Sequence, residues 1–322
     1  MLAAMFPPAY MNAMLQGQAL SGILGAATNV LILLLGSKPK DSAFFCFLIT
    51  IIVMLMTACS LLLNIRFNKF FRHYDLCQNS VVIVSQEDED ALVADVNRED
   101  TYEDDHYLTD EISAQSTLDA TGNHIAQASL SSPSHMSVVL RVAWSTILWI
   151  CAAFANSAVT LSVYPAITSL IKSVDAGEGN PWNDTYFTPV ACILLPNVYY
   201  YLGRLTASWF PFPTNETRHG GHIIFLASLA RIMFIPFFIF CNASPNNRVV
   251  SPVLIHSDAA FYVGMFLCSV SGSHIEAVCM MFGPKTLPDP EQQSIAASVM
   301  VAWLVTGMAV GAALSSVWVM LL

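Results

Sequence analysis

The sequence places one arginine, Arg204, near the middle of a long apolar stretch, on a stripe with Asn197, Tyr200 and Ser208. Spacings of three and four residues put these side chains on one face of a helix. An arginine offers five N–H donors in a fixed fork, which suits hydroxyl-bearing or carbonyl-bearing ligands and carboxylate partners. Because a charge within an apolar helix is costly in a membrane, Arg204 is predicted to serve a polar path or its gating. A structural ion pair and a side chain that reaches the membrane surface are the alternatives.

A second ionisable group, Glu276, lies in another apolar stretch with His274 two residues before it. A carboxylate in such a position must pair, take up a proton or face water. We expect Glu276 to pair with Arg204, since these are the deepest opposite charges in the last five apolar stretches. Arg231 is the second candidate partner, with a surface-directed side chain as its alternative.

Polar and small side chains mark three further helix faces. Asn156, Thr160 and Tyr164 share one face, which indicates either a polar cavity or a hydrogen bond that only holds the bundle together. Small residues at steps of four, which favour close helix packing, occur in the first and last apolar stretches. These residues are Gly17, Ser21, Gly25 and Asn29, and then Gly307, Gly311 and Ser315. Gln18, beside the first set, is a candidate pore-facing group.

The elements that must position these residues are seven apolar segments. They run approximately over 14–36, 42–64, 138–171, 187–211, 221–241, 259–282 and 294–322. The 322-residue chain is 55% hydrophobic and 11% charged, with a mean hydropathy of +0.57, whereas soluble proteins carry about 25% charged residues. This composition predicts an all-α polytopic membrane protein. No phosphate-binding glycine loop, metal-ligand pair or nucleophile–base pair occurs, so neither an enzyme nor a cofactor is expected.

The acidity of the chain belongs to one loop. Residues 65–137 hold 14 of the 23 acidic residues and the apolar segments hold few. Such a segment buries too little apolar surface to fold alone. The predicted organisation is two transmembrane helices over 1–64, an acidic disordered cytoplasmic loop over 65–137, and a five-helix transmembrane bundle over 138–322.

The distribution of Lys and Arg sets the expected orientation. Arg66, Lys69 and Arg72 directly follow the second segment, which places the acidic loop and the N-terminus in the cytoplasm and the C-terminus outside. This is opposite to a seven-helix receptor. Of the three sequons, Asn183 is the expected glycosylation site because it falls outside and lies away from the membrane.

Several short motifs in order resemble the equilibrative nucleoside transporter family. They are Pro7-Pro8-Ala9-Tyr10, Gly17-Gln18-Ala19-Leu20-Ser21-Gly22, Tyr164-Pro165-Ala166-Ile167-Thr168, Asn197 with Leu202-Gly203-Arg204, Ala230-Arg231-Ile232-Met233-Phe234-Ile235-Pro236, and Phe282-Gly283-Pro284-Lys285. The resemblance covers most of the chain apart from the acidic loop. It implies an eleven-helix, major-facilitator-like bundle that carries nucleosides down their gradient by alternating access. The chain aligns from just before the family's fifth helix, so seven helices are expected here, and what supplies the first four is left open.

The resemblance also implies roles for matching residues. Asn197 and Arg204 correspond to the polar pair that faces the nucleoside, and Gly17 and Gly22 to glycines tied to transport and inhibitor sensitivity. The family usually has an acid where this chain has Tyr200, so Tyr200 is expected to stack on the base or alter substrate choice, with Glu276 supplying the missing charge.

The full set of expected site residues has two parts. Substrate binding is assigned to Asn197, Arg204, Tyr200, Gln18 and Tyr164, and transport or gating to Gly17, Gly22, Glu276 and His274. The expected partners are a nucleoside or nucleobase and the lipid bilayer of the plasma membrane, with no nucleic acid and no metal. Two alternatives remain, namely a proton-coupled nucleoside or nucleobase carrier that titrates Glu276 or His274, and a non-transporting truncated membrane protein.

Overall fold

A computed structural model describes residues 8–34, 39–67, 135–243 and 252–322 of the chain. Over these ranges the chain is helical, with no β-strand and only two isolated β-bridges, Ile171 to Ala243 and Cys241 to Ile255. This confirms the all-α fold class. The major-facilitator-like arrangement of eleven helices stays a prediction.

Within the described ranges, each of the seven expected segments coincides with one or two α-helices. The helices are α1 (Pro8–Leu34), α2 (Pro39–Phe67), α3 (His135–Ser145), α4 (Ile147–Val163), α5 (Leu195–Trp209), α6 (Gly220–Ala230), α7 (Phe234–Phe240), α8 (Asp258–Phe282) and α9 (Pro290–Leu321). Two π-helical segments, Trp182–Tyr186 and Thr188–Leu194, lead into α5. Three 3-10 turns cover Thr168–Leu170, Arg231–Met233 and Pro284–Thr286.

Five helical stretches among the described residues are long and apolar enough to cross a membrane. These are Ala9–Leu34, Ile147–Leu170, Gly220–Phe240, Asp258–Thr286 and Pro290–Met320, against the requirement of about 20 residues for a bilayer core. The second expected segment contributes a shorter described apolar stretch, Phe47–Ser60. The fourth corresponds to α5, whose Asn197, Arg204 and tyrosines make it more polar. The protein is an integral membrane protein.

Prolines lie beside two of the places where the expected segments depart from a single α-helix. The expected segment 138–171 is divided at Thr146 and its main helix, α4, ends at Val163, just before Tyr164 and Pro165. The expected segment 221–241 tightens into the 3-10 turn Arg231–Met233 between α6 and α7. Pro236 has no N–H for the carbonyl one turn earlier, which disfavours a regular α-helix at that place.

Contacts divide the chain into two units, residues 1–46 with 133–322, and residues 47–132. In the second unit only residues 47–67 are described, and side chains such as Met54 and Phe67 are exposed. The expected disordered linker over 65–137 lies outside the described residues, except that its two ends extend α2 to Phe67 and begin α3 at His135. The division into three domains stays a prediction.

Glycines allow α9 to lie directly on α4. A β-carbon at Gly307 would come within 2.5 Å of the Phe154 carbonyl oxygen, and one at Gly311 would collide with the carbonyl of Ala158. The packing role expected for Gly307 and Gly311 is therefore confirmed.

The described residues do not show the corresponding packing for α1. None of their atoms lies within 4 Å of a β-carbon built at Gly17 or Gly25, and Ser21 is exposed. The helix instead buries the adjacent face, which carries Leu15 and Ala19. A spacing of four residues fits either face, and the larger apolar side chains determine which one is buried.

Two apolar clusters lie at different levels of the first unit. One contains Trp149, Met281 and Met300, and the other Phe187 and Phe261. Both α4 and α8 pass through both clusters, and polar residues of these helices lie between the clusters or, like Glu276, at the edge of the first. We call this intermediate level the polar layer, and it contains Asn156, Thr160, Asn197, Arg204, Arg231 and Glu276.

Candidate functional site

The centre of the polar layer is an ion pair between α5 and α8. A guanidinium nitrogen of Arg204, Nη2, lies 3.0 Å from Oε1 of Glu276. Arg204 is 1% exposed and Glu276 is 7% exposed, so both charges are removed from solvent. The expected pairing of Arg204 with Glu276 is confirmed. Because the Arg204 side chain is buried, it does not extend to the membrane surface.

Tyr200 completes the environment of the carboxylate. Its hydroxyl donates a hydrogen bond to Oε2 of Glu276, and its ring lies 4.8 Å from the guanidinium carbon of Arg204. Tyr200 and Arg204 are four residues apart, so α5 places them one turn from each other on the same face. Each oxygen of Glu276 thus has a partner from α5, and the ring adds a cation–π contact.

Helix α1 reaches the same arginine through its backbone. Nη1 of Arg204 donates to the carbonyl oxygen of Leu15, and Nη2 lies 3.3 Å from the amide oxygen of Gln18. Gln18 is otherwise exposed. Arg204 therefore joins α1, α5 and α8 at one point, while its Nε is buried without a hydrogen-bond partner among the described residues.

The ion pair is better evidence that the helices must keep one particular arrangement than that the fold gains stability. The desolvation of two charges can outweigh their attraction, but removing one partner leaves the other charge buried and costs about 3–5 kcal/mol. Helices α1 and α8 are thus constrained to keep their acceptors beside Arg204 while the bundle holds this conformation.

Asn197 forms a second junction between α5, the end of α4 and α1. Its Nδ2 donates to the hydroxyl of Tyr164 at 3.1 Å and to the carbonyl of Ile193 at 2.8 Å. A β-carbon at Gly22 would lie 2.5 Å from Oδ1 of Asn197. The absence of a side chain at Gly22 is therefore what allows α1 to approach Asn197.

Arg231 lies in a third polar cluster, away from Glu276. Its Nη1 donates to Thr160 Oγ1 at 3.0 Å and to both the carbonyl and side-chain oxygens of Asn156, and its Nη2 donates to the carbonyl of Cys268 at 2.9 Å. Asn156 in turn donates to the carbonyl of Gly272 at 3.0 Å. The expectation that Arg231 pairs with Glu276 or reaches the surface is wrong, because α4 and α8 enclose it and leave it 3% exposed.

A cavity of about 180 Å³ lies within the polar layer. Polar groups from several helices line it, including Thr160, Tyr164, Asn197, Tyr200, Arg231, Cys268, Ser269 and Glu276. One water-sized group needs about 10–15 Å³ on this measure, so the cavity has room for roughly a dozen. Concave sites with a few convergent polar groups on apolar walls are the usual form of small-molecule sites.

The structure brings some expected site residues to this cavity and leaves others away from it. Tyr164, Asn197, Tyr200 and Glu276 line it, and Gln18 and Gly22 contact residues of the polar layer. Gly17 lies on an exposed face of α1, so it is not part of this arrangement.

His274 lies outside the cavity and connects α8 to the end of α5. Its Nδ1 is 3.0 Å from Thr206 Oγ1, and its Nε2 is 3.2 Å from the carbonyl oxygen of Phe212. Since a carbonyl only accepts, Nε2 carries a proton and donates to Phe212. In this conformation His274 is a bracing residue and does not face the cavity.

Two parts of the site were missed by sequence reasoning. The contact of Arg204 with the Leu15 carbonyl uses the backbone, so the residue type at position 15 does not predict it. From the sequence, Cys268 is expected to be an ordinary buried cysteine. The structure places it in the cavity wall, next to Arg231. Thr160, which was noted on the face of Asn156 and Tyr164, could have been assigned from that spacing.

Asn183 is in the loop between α4 and α5. It is partly exposed and begins the sequon Asn183-Asp184-Thr185 in the π-helical segment Trp182–Tyr186. Asn242, by contrast, donates its side-chain amide to the carbonyl of Lys172 at 3.1 Å. Its engagement makes Asn242 the poorer acceptor for a glycan.

Comparisons with known proteins agree with these features. The family model described as "Nucleoside transporter" matches residues 1–320. The chain is 28% identical to equilibrative nucleoside transporter 1 of Rattus norvegicus, over 98% of the chain and 63% of that protein. It is 28% identical to equilibrative nucleoside transporter 2 of Homo sapiens, over 96% and 64%, and 30% identical to equilibrative nucleoside transporter 2 of Mus musculus, over 96% and 65%. The chain thus spans a little under two thirds of the length of these relatives.

Proposed function

The chain belongs to the nucleoside transporter family, and from this premise we propose that it carries nucleosides down their gradient across a membrane. The observation that carries the proposal is the buried Arg204–Glu276 pair beside a polar cavity, in a bundle that contains five helical stretches long and apolar enough to cross a membrane. Ionisable groups are kept inside a membrane at a cost, and their usual role is in a path for a polar solute.

The proposed binding mode uses the polar layer. Asn197 and Arg204 hydrogen-bond the ribose hydroxyls, Tyr200 stacks on the base, and Gln18 and Tyr164 complete the polar wall. The proposal is supported by the neighbouring positions of these residues, since Tyr164, Asn197 and Tyr200 line one cavity and Arg204 contacts both Gln18 and Tyr200. Glu276 acts by holding Arg204 in place.

The proposed transport step is a rocking of two helix bundles about the central site. Arg204 is suited to this step because its contacts with Leu15 and Gln18 on α1 can break while its pairing with Glu276 on α8 persists. The close approach of Gly22 to Asn197 provides a second contact of the same kind. Alternating access then requires α1 to leave and regain the same two partners in each cycle.

The decisive experiment measures radiolabelled uridine uptake in transporter-deficient cells that express the full-length protein. Uptake above the level of mock-transfected cells is expected, and Arg204→Ala should abolish it while surface biotinylation remains comparable. Undiminished uptake by the Arg204→Ala protein would refute the assigned role of the arginine. No uptake by the unmodified protein at the cell surface would refute transport and favour a non-transporting membrane protein.

A second candidate function is proton-coupled transport of a nucleoside or nucleobase. The observation that favours it is the presence of a carboxylate, Glu276, in the wall of the cavity. Uptake should then rise at acidic external pH, and Glu276→Gln should remove that stimulation. His274→Gln is the comparison variant, because His274 lies outside the cavity, and uptake independent of pH would exclude the coupled mechanism.

For cellular placement we propose the plasma membrane, with the N-terminus and the acidic loop in the cytoplasm and the C-terminus outside. The mild excess of Lys and Arg beside the loop supports this orientation. A glycan on Asn183, detected as a mobility shift after glycosidase treatment, would agree with it. Cytoplasmic accessibility of an epitope inserted at Asn183 would contradict it.

A further inference from the structure

We infer that Arg231 reads the base of the substrate and favours bases that present a carbonyl oxygen over bases that present an amino group at the same position. This inference rests on the proposed nucleoside transport. It assigns a specificity-determining role to a residue that lies apart from the Arg204–Glu276 pair but lines the same cavity.

The charges of the polar layer do not cancel. Among the described residues, Arg204 and Glu276 form its ion pair and neutralise each other. Arg231 has only neutral partners there, namely Asn156, Thr160 and Cys268. Since an arginine keeps its proton in proteins, the described part of the polar layer carries one net positive charge, located at Arg231.

Arg231 has one N–H donor that is left without an acceptor among the described residues. Its two terminal nitrogens are directed to acceptors on α4 and α8, whereas its Nε is buried with no hydrogen-bond partner among the described residues. A buried donor without an acceptor is costly, and a ligand that supplies an acceptor recovers that cost. A carbonyl oxygen does so, while an amino group would place its own N–H donors against a fixed cation.

The two charged groups of the cavity wall, Arg231 and Glu276, are separated along α8. Arg231 touches α8 at Cys268, and a β-carbon at Gly272 would come within 2.5 Å of its Nη2. These positions lie one to two helical turns before Glu276, or about 6–12 Å along the helix at 1.5 Å per residue. A nucleoside with its ribose at Asn197 and Arg204 and its base stacked on Tyr200 would therefore direct the far edge of its base toward Arg231.

The matched substrates are inosine and adenosine, which share the ribose and the purine frame. Inosine presents two adjacent acceptors on one base edge, O6 and N7, which is the pattern that arginine binds in guanine, whereas adenosine replaces O6 by an amino group. We expect the unmodified protein to transport inosine with a kcat/KM about tenfold higher than adenosine, as a charge-assisted hydrogen bond would provide.

The test compares Arg231→Met, Arg231→Lys and a control, Thr306→Ala, with the unmodified protein; Thr306 is exposed, and its hydroxyl donates to the backbone of its own helix. Arg231→Met should bring the inosine-to-adenosine ratio close to one, Arg231→Lys should retain a preference for inosine, and Thr306→Ala should leave the ratio unchanged. A purely structural role for Arg231 would lower uptake of both substrates without moving their ratio. An unchanged ratio in Arg231→Met would therefore overturn the inference.

The inference stays testable if Arg231→Met fails to reach the cell surface. Cys268 lies beside Arg231 in the cavity wall, so inosine should slow its modification by a small methanethiosulfonate reagent more than adenosine does at the same concentration, with Cys268→Ala identifying the labelled site. Equal uptake and equal protection by the two nucleosides would refute the role of Arg231 and leave nucleoside transport standing. No uptake of either nucleoside would refute both.

Discussion

Replacing both members of the buried ion pair should cost less than the two single replacements together. Arg204→Gln leaves Oε1 of Glu276 as a buried carboxylate oxygen that has lost its ion-pair partner among the described residues, although Tyr200 still donates to Oε2. Removing one partner of a buried pair costs about 3–5 kcal/mol. Glu276→Gln is milder, because Arg204 keeps the carbonyl of Leu15, the amide oxygen of Gln18 and an amide oxygen at position 276, so a loss of about 1–3 kcal/mol is expected.

The double variant has no buried charge at either position and should lose only about 1–2 kcal/mol. The expected coupling is therefore at least about 2 kcal/mol, well above the roughly 0.5 kcal/mol that separates additive from coupled sites. The assay is the midpoint of thermal unfolding of the detergent-purified proteins. At about 2 °C per kcal/mol for a chain of this size, Arg204→Gln should lower it by about 6–10 °C and the double variant by less.

A matched control uses the other end of α8. Asp258 accepts hydrogen bonds from Ser173 and from the backbone of Val174, and it is 18 residues before Glu276. Asp258→Asn combined with Arg204→Gln should therefore be additive. Additive losses for the pair Arg204→Gln and Glu276→Gln would refute the reasoning, since they would show that the two charges do not depend on each other.

Three further predictions concern small residues and the glycan. Gly22→Ala should reduce uridine uptake severalfold, because its β-carbon would lie 2.5 Å from Asn197, whereas Gly17→Ala, in open space, should leave uptake unchanged; equal effects would contradict the close approach of α1. Gly311→Ala should lower the thermal midpoint by an amount that corresponds to about 1–3 kcal/mol of overpacking, with Gly25→Ala as the neutral control. Asn183→Gln should abolish the glycosidase-sensitive mobility shift, and a shift that persists would reassign the glycan.

Much of the fold and part of the site follow from the sequence. Apolar length locates the helices, and the rarity of charge in lipid leads directly to Arg204 and Glu276, because two opposite charges at that depth have few ways to be tolerated. The face of α1 could not be chosen in the same way. The small residues Gly17 and Gly25 fit a packing face, but the described structure buries the adjacent face, which carries Leu15 and Ala19.

The partners of Arg231 show a different limit. Opposite charges in two apolar stretches suggest an ion pair, whereas the actual acceptors of Arg231 are two carbonyl oxygens and side-chain oxygens of α4. Such acceptors become available only where a turn of helix is exposed or a small side chain allows approach, as at Gly272. The availability of these acceptors depends on how three helices pack together. Residue types read along the sequence do not reveal this packing.

The contact between Arg204 and the Leu15 carbonyl has a consequence for how this site can be followed through evolution. Side-chain pairs in contact tend to change together, and that covariation is what reveals proximity in collections of related sequences. A main-chain carbonyl is the same whatever residue occupies position 15, so substitutions there are governed by the apolar packing of its side chain and not by Arg204. The junction of α1 with the central arginine should therefore leave no covariation between positions 15 and 204, even in sequences where it is always formed.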